Sequence, residues 1–341
     1  MYRMLRLGTK AFASNFKVLD QPYKLTFAIT YSCNSKCKTC GIWKIKSKNE
    51  LTTEEIKKIF EKINPSWVNL TGGETFLRND LFEIAKIISK RDVYLFNITT
   101  NGLLVNETLK TVKKIFNLKI PKFVLVVSLD GPKEIHDDIK GIDGNWEKSV
   151  NLFSKLKNLS KAKKSFNTYF GYTVSKYNAG QIQKTLDAVN KKIDVKIDDF
   201  HFNIFHKCFY YNNEDLDDVN DLSNKIIKDI NYLKEVKKNI GAIPFLEKKY
   251  IKFIDKYLAT SESPLPCKAL HSSCFIDPYG NVYPCTHFDT KIGNLRNNNY
   301  NLINIWNSEK AKETRKSINQ NKCDGCWTPC EAYQTILGNL F

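Results

Sequence analysis

The 341-residue chain is poor in several features that would settle its class at once. No run of about 18 uncharged apolar residues occurs, which excludes a membrane-spanning helix. The first 30 residues lack an apolar signal core followed by a small-residue cleavage site, so a cytoplasmic setting is expected. Arginine is scarce, at six of the 53 basic residues. Forked phosphate and base contacts need the guanidinium, so the formal charge of +17 reads as a solvated lysine surface, not a dedicated nucleic-acid face. The five histidines (136, 201, 206, 271 and 287) fall at no metal-ligand spacing. His201 and His206 flank one strand end near any substrate, but satisfied or solvated rings are the expectation. Internal repeats and low-complexity tracts are absent, and 42% hydrophobic content excludes wholesale disorder. Cysteine, in contrast, is abundant. Ten of them in a chain not expected to be exported point to metal or redox chemistry, not to a disulfide scaffold.

Apolar, β-branched runs at Leu25–Tyr31, Trp67–Thr71, Val93–Thr99, Phe123–Leu129, Phe166–Val174 and Phe200–Phe205 read as strands. Helical patterns lie at 53–63, 79–90, 104–116, 146–158, 178–192 and 215–238, and Thr52 with Glu55 makes a capping box. Six βα units imply a parallel sheet, too few for a closed eight-stranded barrel. The expected fold is α/β, a partial (β/α)6 barrel with active residues on the loops after the strands. The division reads 1–23 N-terminal helical segment, 24–240 barrel, 241–266 helix and linker, and 267–341 a small cysteine-rich domain with little strand pattern. Residues 1–20 carry Leu5, Phe12, Phe16 and Leu19 at near-helical spacing, with Arg3, Arg6, Lys10 and Lys17 between them. A helix covering the open end or side of the barrel is expected here, ahead of an interfacial helix that touches anionic lipid.

The densest chemical signal is Cys33-x3-Cys37-x2-Cys40, directly after the first strand. Three thiolates on one loop suit iron–sulfur ligation, and three, not four, leave one iron of a cubane open to an exogenous group. This spacing resembles the CxxxCxxC motif of the radical S-adenosylmethionine (SAM) superfamily. Thr71-Gly72-Gly73-Glu74 after the second strand is similar to the family's GGE motif, which implies that Glu74 meets the SAM ammonium. Its glycines let backbone approach a ligand closely. Thr100-Asn101-Gly102 after the third strand and Ser128-Leu129-Asp130-Gly131-Pro132 after the fourth, continued by His136 to Gly141, are similar to family patterns too. The resemblance covers roughly residues 24–205 and implies cofactor contacts at Gly72, Gly73, Glu74, Asn101, Ser128, Asp130 and Lys140. Two departures stand out. Thr39 occupies a position that is commonly aromatic, leaving Ile42 or Trp43 to cover the cluster. Lys140 replaces a common arginine, giving a point charge without a fork.

Six cysteines crowd the end of the chain: Cys267, Cys274, Cys285, Cys323, Cys326 and Cys330. Cys274-x5-Gly280-x4-Cys285 followed by Cys323-x2-Cys326-x3-Cys330 resembles the SPASM and twitch extensions of radical SAM enzymes, which implies an auxiliary [4Fe–4S] cluster. One cluster is expected on Cys274, Cys285, Cys323 and either Cys326 or Cys330, with Cys267 the least fixed; structural zinc is the competing use. Cys208 stands alone after the sixth strand, either inert packing or a hydrogen donor to a substrate radical.

The family likeness implies reductive cleavage of SAM at a [4Fe–4S] cluster to a 5′-deoxyadenosyl radical, which takes a hydrogen from substrate. A reductant such as flavodoxin or ferredoxin is the implied partner. Peptide or protein side-chain modification is the first expectation for substrate, and oxidation or carbon-bond formation on a small metabolite or lipid the second. A non-enzymatic iron–sulfur or zinc protein would leave Gly72-Gly73-Glu74 unexplained.

Overall fold

The structure is a computed structural model that describes residues 1–216, 224–238 and 241–341. Strands β1 (Lys24–Ala28), β2 (Trp67–Thr71), β3 (Leu95–Thr100), β4 (Lys122–Ser128), β5 (Phe166–Val174) and β6 (Phe200–Ile204) pair in parallel, each with the next. The helices are α1 (Tyr2–Ala13), α2 (Thr53–Lys62), α3 (Leu81–Ser89), α4 (Val105–Ile115), α5 (Lys133–Lys140), α6 (Asn145–Ala162) and α7 (Ile182–Asn190). They continue as α8 (Asn224–Val236), α9 (Ala242–Lys252), α10 (Ile254–Thr260), α11 (Leu302–Trp306), α12 (Glu309–Asn319) and α13 (Pro329–Leu337). This is the expected partial barrel, with strand ends moved by up to three residues. α5 is an additional helix, and the front of the expected 215–238 helix lies partly outside the described residues.

Local chemistry explains these elements. β1 is buried at all five positions, as a strand covered on both faces must be, and β5 alternates buried and half-buried. Thr52 and Glu55 form the expected capping box at the start of α2. α5 stops at Gly141, whose φ of +63° suits glycine, and a Cβ there would meet the Lys36 carbonyl at 2.8 Å. That contact joins the end of α5 to the cysteine loop.

The end of the chain holds more strand than its sequence suggests. β7 (Ser273–Ile276) pairs in parallel with β1, and β8 (Asn281–Tyr283) and β9 (Gly293–Asn294) follow as antiparallel neighbours. The result is one nine-stranded sheet in the order β6-β5-β4-β3-β2-β1-β7-β8-β9. Its core is continuous, with Leu270, Ile276, Leu295 and Trp306 packed in the same buried cluster as Phe27 and Leu70. Polar clasps reinforce the join. Trp306 Nε1 donates to the Leu19 carbonyl at 2.7 Å, and Arg315 Nε donates to the Leu270 carbonyl at 2.6 Å.

Candidate catalytic cavity and auxiliary cysteine site

The loop after β1 carries Cys33, Cys37 and Cys40 and has little regular structure of its own. Its amides find partners elsewhere: Lys36 N–H donates to the Lys140 carbonyl at 2.9 Å and Lys38 N–H to the Ile139 carbonyl at 2.8 Å. The last carbonyls of α5, which a helix leaves unbonded, are thereby satisfied. From the other side, Gly41 N–H donates to the Tyr211 carbonyl at 2.7 Å, and Asn213 Nδ2 donates to the Thr39 carbonyl at 3.0 Å.

All three cysteines line a cavity of about 330 Å³ at the C-terminal ends of the strands, covered by Ile42 and Trp43. Burial pushes the Cys33 thiol up to about 11 and raises Cys37 as well. Such thiols become thiolate ligands when a metal takes the proton's place. Among the described residues no three His, Cys, Asp or Glu side chains converge closely enough for a single ion. Three thiols around an open cavity suit a cluster, which distributes its ligands over several irons.

Gly72, Gly73, Asn101, Ser128, Asp130 and Lys140 line the same cavity, as the motifs implied. Glu74 does not. Its carboxylate is wholly buried and accepts from Thr100 Oγ1 at 2.9 Å, Phe76 N–H at 3.1 Å and Asn101 N–H at 2.6 Å. These three donors hold it among the protein's own groups, where it ties the second strand's loop to the third's. Burial lifts it to about 7 against the pull of those bonds. The glycines are also needed for a reason beyond ligand approach. A Cβ on Gly72 would meet the Thr30 carbonyl oxygen at 2.3 Å, and one on Gly73 the Ser32 carbonyl oxygen at 2.2 Å. They admit the backbone of the cysteine loop.

Lys140 Nζ pairs with Asp130 Oδ2 at 2.6 Å. Asp130 Oδ1 accepts from Thr173 N–H at 2.8 Å, and its own N–H donates to His136 Nδ1 at 2.9 Å. Burial holds His136 down to about 3, so its ring is neutral and supports this loop. Asn101 Nδ2 donates to Asn34 Oδ1 at 2.7 Å, linking the third strand's loop to the cysteine loop.

Of the far wall of the cavity, the sequence pointed to His201 alone as a neighbour of substrate. This wall is made by Lys24 of β1, His201 and Asn203 of β6, and Thr328, Cys330 and Tyr333 around α13. Lys24 Nζ donates to Gln334 Oε1 at 2.6 Å and also to the Cys330 carbonyl. Thr328 Oγ1 and Tyr333 Oη are buried without a hydrogen-bond partner, and His201 Nε2 lies 3.9 Å from the buried Glu247 Oε2. Two unpaired hydroxyls on one wall suit a polar ligand, since buried polar groups are ordinarily paired. The sequence held a further signal for this wall, a lysine opening an otherwise apolar strand. His206 also lines the cavity but is satisfied, with Nδ1 at 2.8 Å from the Ile204 carbonyl and Nε2 accepting from Trp327 N–H at 3.1 Å.

Cys208 sits in an apolar cluster with Ala28, Tyr31, Ile42, Tyr210 and Phe275, and is not among the residues lining the cavity. Its placement among these side chains is that of packing, the first of the two readings open to it.

A second, smaller cavity of about 30 Å³ is lined by Cys267, Cys285, Cys323 and Cys326, together with His287 and Phe288. Backbone N–H groups of His287 and Phe288 lie 3.4 and 3.3 Å from Cys285 Sγ, and Ala269 N–H lies 3.4 Å from Cys267 Sγ. Four cysteines around one small cavity, with amides close to two of the sulfurs, fit a cluster site. The set differs from the one expected. Cys274 lies inside β7, opposite Leu25 of β1, fully buried, and is not among the residues lining this cavity. Cys330, at the Thr328-Pro329 start of α13, lines the catalytic cavity instead. Cys267, the least fixed by sequence, lines the smaller cavity with the other three.

Residues 27–189 match the radical SAM superfamily model, and residues 267–331 match SPASM, an iron–sulfur cluster-binding domain. The chain is 26% identical over 337 residues to the AdoMet-dependent heme synthase of Methanosarcina barkeri, covering 94% of this chain and 91% of that one. It is 27% identical over 335 residues to the cysteine-type anaerobic sulfatase-maturating enzyme of Clostridium novyi, covering 87% and 83%. The solved structure of anSMEcpe with bound AdoMet and the Cp18Cys peptide shares the fold at 18% identity and a TM-score of 0.57, with 93% and 95% of the two chains covered. With the cysteine triad and the SAM-motif residues gathered on one cavity, the chain belongs to the radical SAM superfamily: it is an enzyme of that family that uses SAM and [4Fe–4S] clusters, with a SPASM domain at its end.

Proposed function

We propose that this enzyme modifies a peptide or protein side chain by hydrogen abstraction. The observation that carries the reading is the polar far wall, where Thr328, Tyr333 and His201 line the cavity and the Thr328 and Tyr333 hydroxyls have no hydrogen-bond partner. A group able both to donate and to accept hydrogen bonds, such as an amide, satisfies them. The sulfatase-maturating relative supports the choice of a protein substrate.

Cys33, Cys37 and Cys40 would hold the catalytic [4Fe–4S] cluster. When bound there with SAM, it supplies one-electron reductive cleavage and hydrogen-atom abstraction. Gly72, Gly73, Asn101 and Ser128 line the side on which SAM would lie, and the Lys140–Asp130 pair borders it. Ile42, Trp43 and Phe205 exclude water from the reacting centre. Thr328, Tyr333 and His201 orient the substrate. Cys267, Cys285, Cys323 and Cys326 would hold one auxiliary cluster, whose backbone N–H···S contacts tune its potential. A cytoplasmic reductant such as flavodoxin or ferredoxin completes the reading.

The near-full-length likeness to a heme synthase supports a second reading, oxidative chemistry on a small metabolite in the same cavity. One experiment separates the two. The reconstituted enzyme is given SAM, dithionite and size-separated lysate fractions, and 5′-deoxyadenosine is measured. Stimulation by a large-molecule fraction, abolished by prior protease digestion, supports the peptide reading. Stimulation confined to the protease-resistant small-molecule fraction overturns it in favour of the second.

A further inference from the structure

The amphipathic helix α1 packs Leu7, Ala11 and Ala13 against the core but leaves its larger apolar side chains outside. Its basic side chains face the protein. Arg6 Nη1 donates to Ser66 Oγ at 2.7 Å and Nη2 to the Asn64 carbonyl at 2.5 Å, while Arg3 Nη1 donates to the Lys119 carbonyl at 2.7 Å. Those partners precede β2 and β4, so α1 lies across the base of the barrel, at the opposite end from the cysteine loop. Its outward face is the apolar one. Tyr2, Leu5, Phe12 and Phe16 are each more than half exposed, with Phe16 at 66%. Phe341 extends this stripe at 78% exposure, and its ring meets that of Phe12 edge-on at 5.2 Å. A contiguous exposed stripe of this kind marks a contact surface, where scattered single apolar residues would not.

The charge around the stripe identifies the partner. The loops entering β3, β4 and β5 at the same end carry Lys90, Arg91, Lys119, Lys163 and Lys164, against one acidic residue, Asp92. The loop entering β6 is balanced, with three lysines and three aspartates. Lys90, Lys119 and Lys164 are exposed, and Lys17 adds another exposed ammonium beside Phe16. An aromatic and aliphatic stripe, about 18 Å long for a 12-residue helix, bordered by lysines is the pattern that lies in a bilayer interface. The apolar face enters the acyl boundary while the ammonium groups meet anionic headgroups.

We propose that the base of the barrel, through α1 and Phe341, docks on an anionic bilayer surface. The cysteine loop lies at the other end of the barrel, so docking through the base leaves that loop clear of the bilayer. This assignment does not depend on what the substrate is.

The test is sedimentation of the cluster-loaded protein with vesicles of phosphatidylcholine alone and of phosphatidylcholine with 30% phosphatidylglycerol. The expected result is co-sedimentation with the anionic vesicles, at least tenfold weaker binding to the neutral ones, and weakening in high salt. Leu5→Gln/Phe12→Gln/Phe16→Gln should reduce anionic-vesicle binding at least tenfold, with iron content and uncoupled SAM cleavage unchanged. Should that variant fold poorly, Lys119→Glu/Lys164→Glu reads the electrostatic half and should weaken binding several-fold. The proposal is overturned if the wild-type protein stays in the supernatant with anionic vesicles, or if the variants bind as wild type does. It is equally overturned if the stripe proves to join two copies, seen as a dimer that the triple variant turns into monomer without any vesicle binding.

Discussion

Lys140 Nζ lies 2.6 Å from Asp130 Oδ2, both side chains buried on the wall of the catalytic cavity. Burial lowers the lysine's affinity for its proton, but Asp130 and Cys37 outweigh it and the ammonium is held charged. Lysine thus fills a position where a fork was expected, and the chain itself supplies its anion.

Removing one partner of this pair leaves the other charge buried alone. Lys140→Met should therefore cost about 3–5 kcal/mol in urea unfolding and weaken SAM binding. Lys140→Met/Asp130→Asn should recover at least half of the lost stability. A single variant as stable as wild type would show that the pair contributes nothing.

Cys37→Ala should abolish 5′-deoxyadenosine formation while leaving about four irons per chain, those of the auxiliary site. Iron analysis and product detection on the same sample check both halves. Retained cleavage would displace the catalytic cluster from this loop.

The auxiliary set divides the six late cysteines. Cys267→Ala and Cys285→Ala should each lower iron by up to about four per chain and destabilise the end of the sheet, because cluster binding is coupled to folding. Cys330→Ala should keep full iron, and Cys274→Ala should keep iron with only the modest loss of a buried packing contact. Iron loss in Cys274→Ala equal to that in Cys267→Ala would restore the set expected from sequence spacing.

Glu55 gives a pH-dependent link between α2 and the last part of the chain. Arg296 Nε and Nη2 donate to its two oxygens at 2.6 and 3.0 Å, and Tyr300 Oη donates at 3.0 Å. The Arg296 bonds hold the carboxyl down to about 2. A depressed folded value means that the stabilisation is present above the ordinary glutamate range, near 4.3, and fades as pH falls toward 2. Glu55→Gln should lower the melting temperature at pH 7 by about 2–4 °C, and the gap should begin to narrow near about pH 4 and close toward about pH 2. A gap constant from pH 7 to pH 3 would remove the ion pair as its cause.

Much of the barrel was legible in local patterns. Six apolar runs separated by amphipathic segments, the Thr52–Glu55 cap and the spacing of Cys33, Cys37 and Cys40 are all short-range, and each determined its element or loop directly. The SAM-motif positions followed because a βα repeat brings successive strand ends to one rim. Only the tertiary structure decided the rest. Whether Glu74 faces cofactor or protein depends on Thr100 and Asn101, which arrive from the next strand. Which cysteines share the auxiliary site depends on β7 entering the sheet beside β1, which buries Cys274, and on the turn into α13, which sends Cys330 to the catalytic cavity. The sequence of α1 determined that it has an apolar stripe and a basic one. It could not determine which stripe faces inward, because that choice rests on carbonyls and hydroxyls presented by distant loops to Arg3 and Arg6.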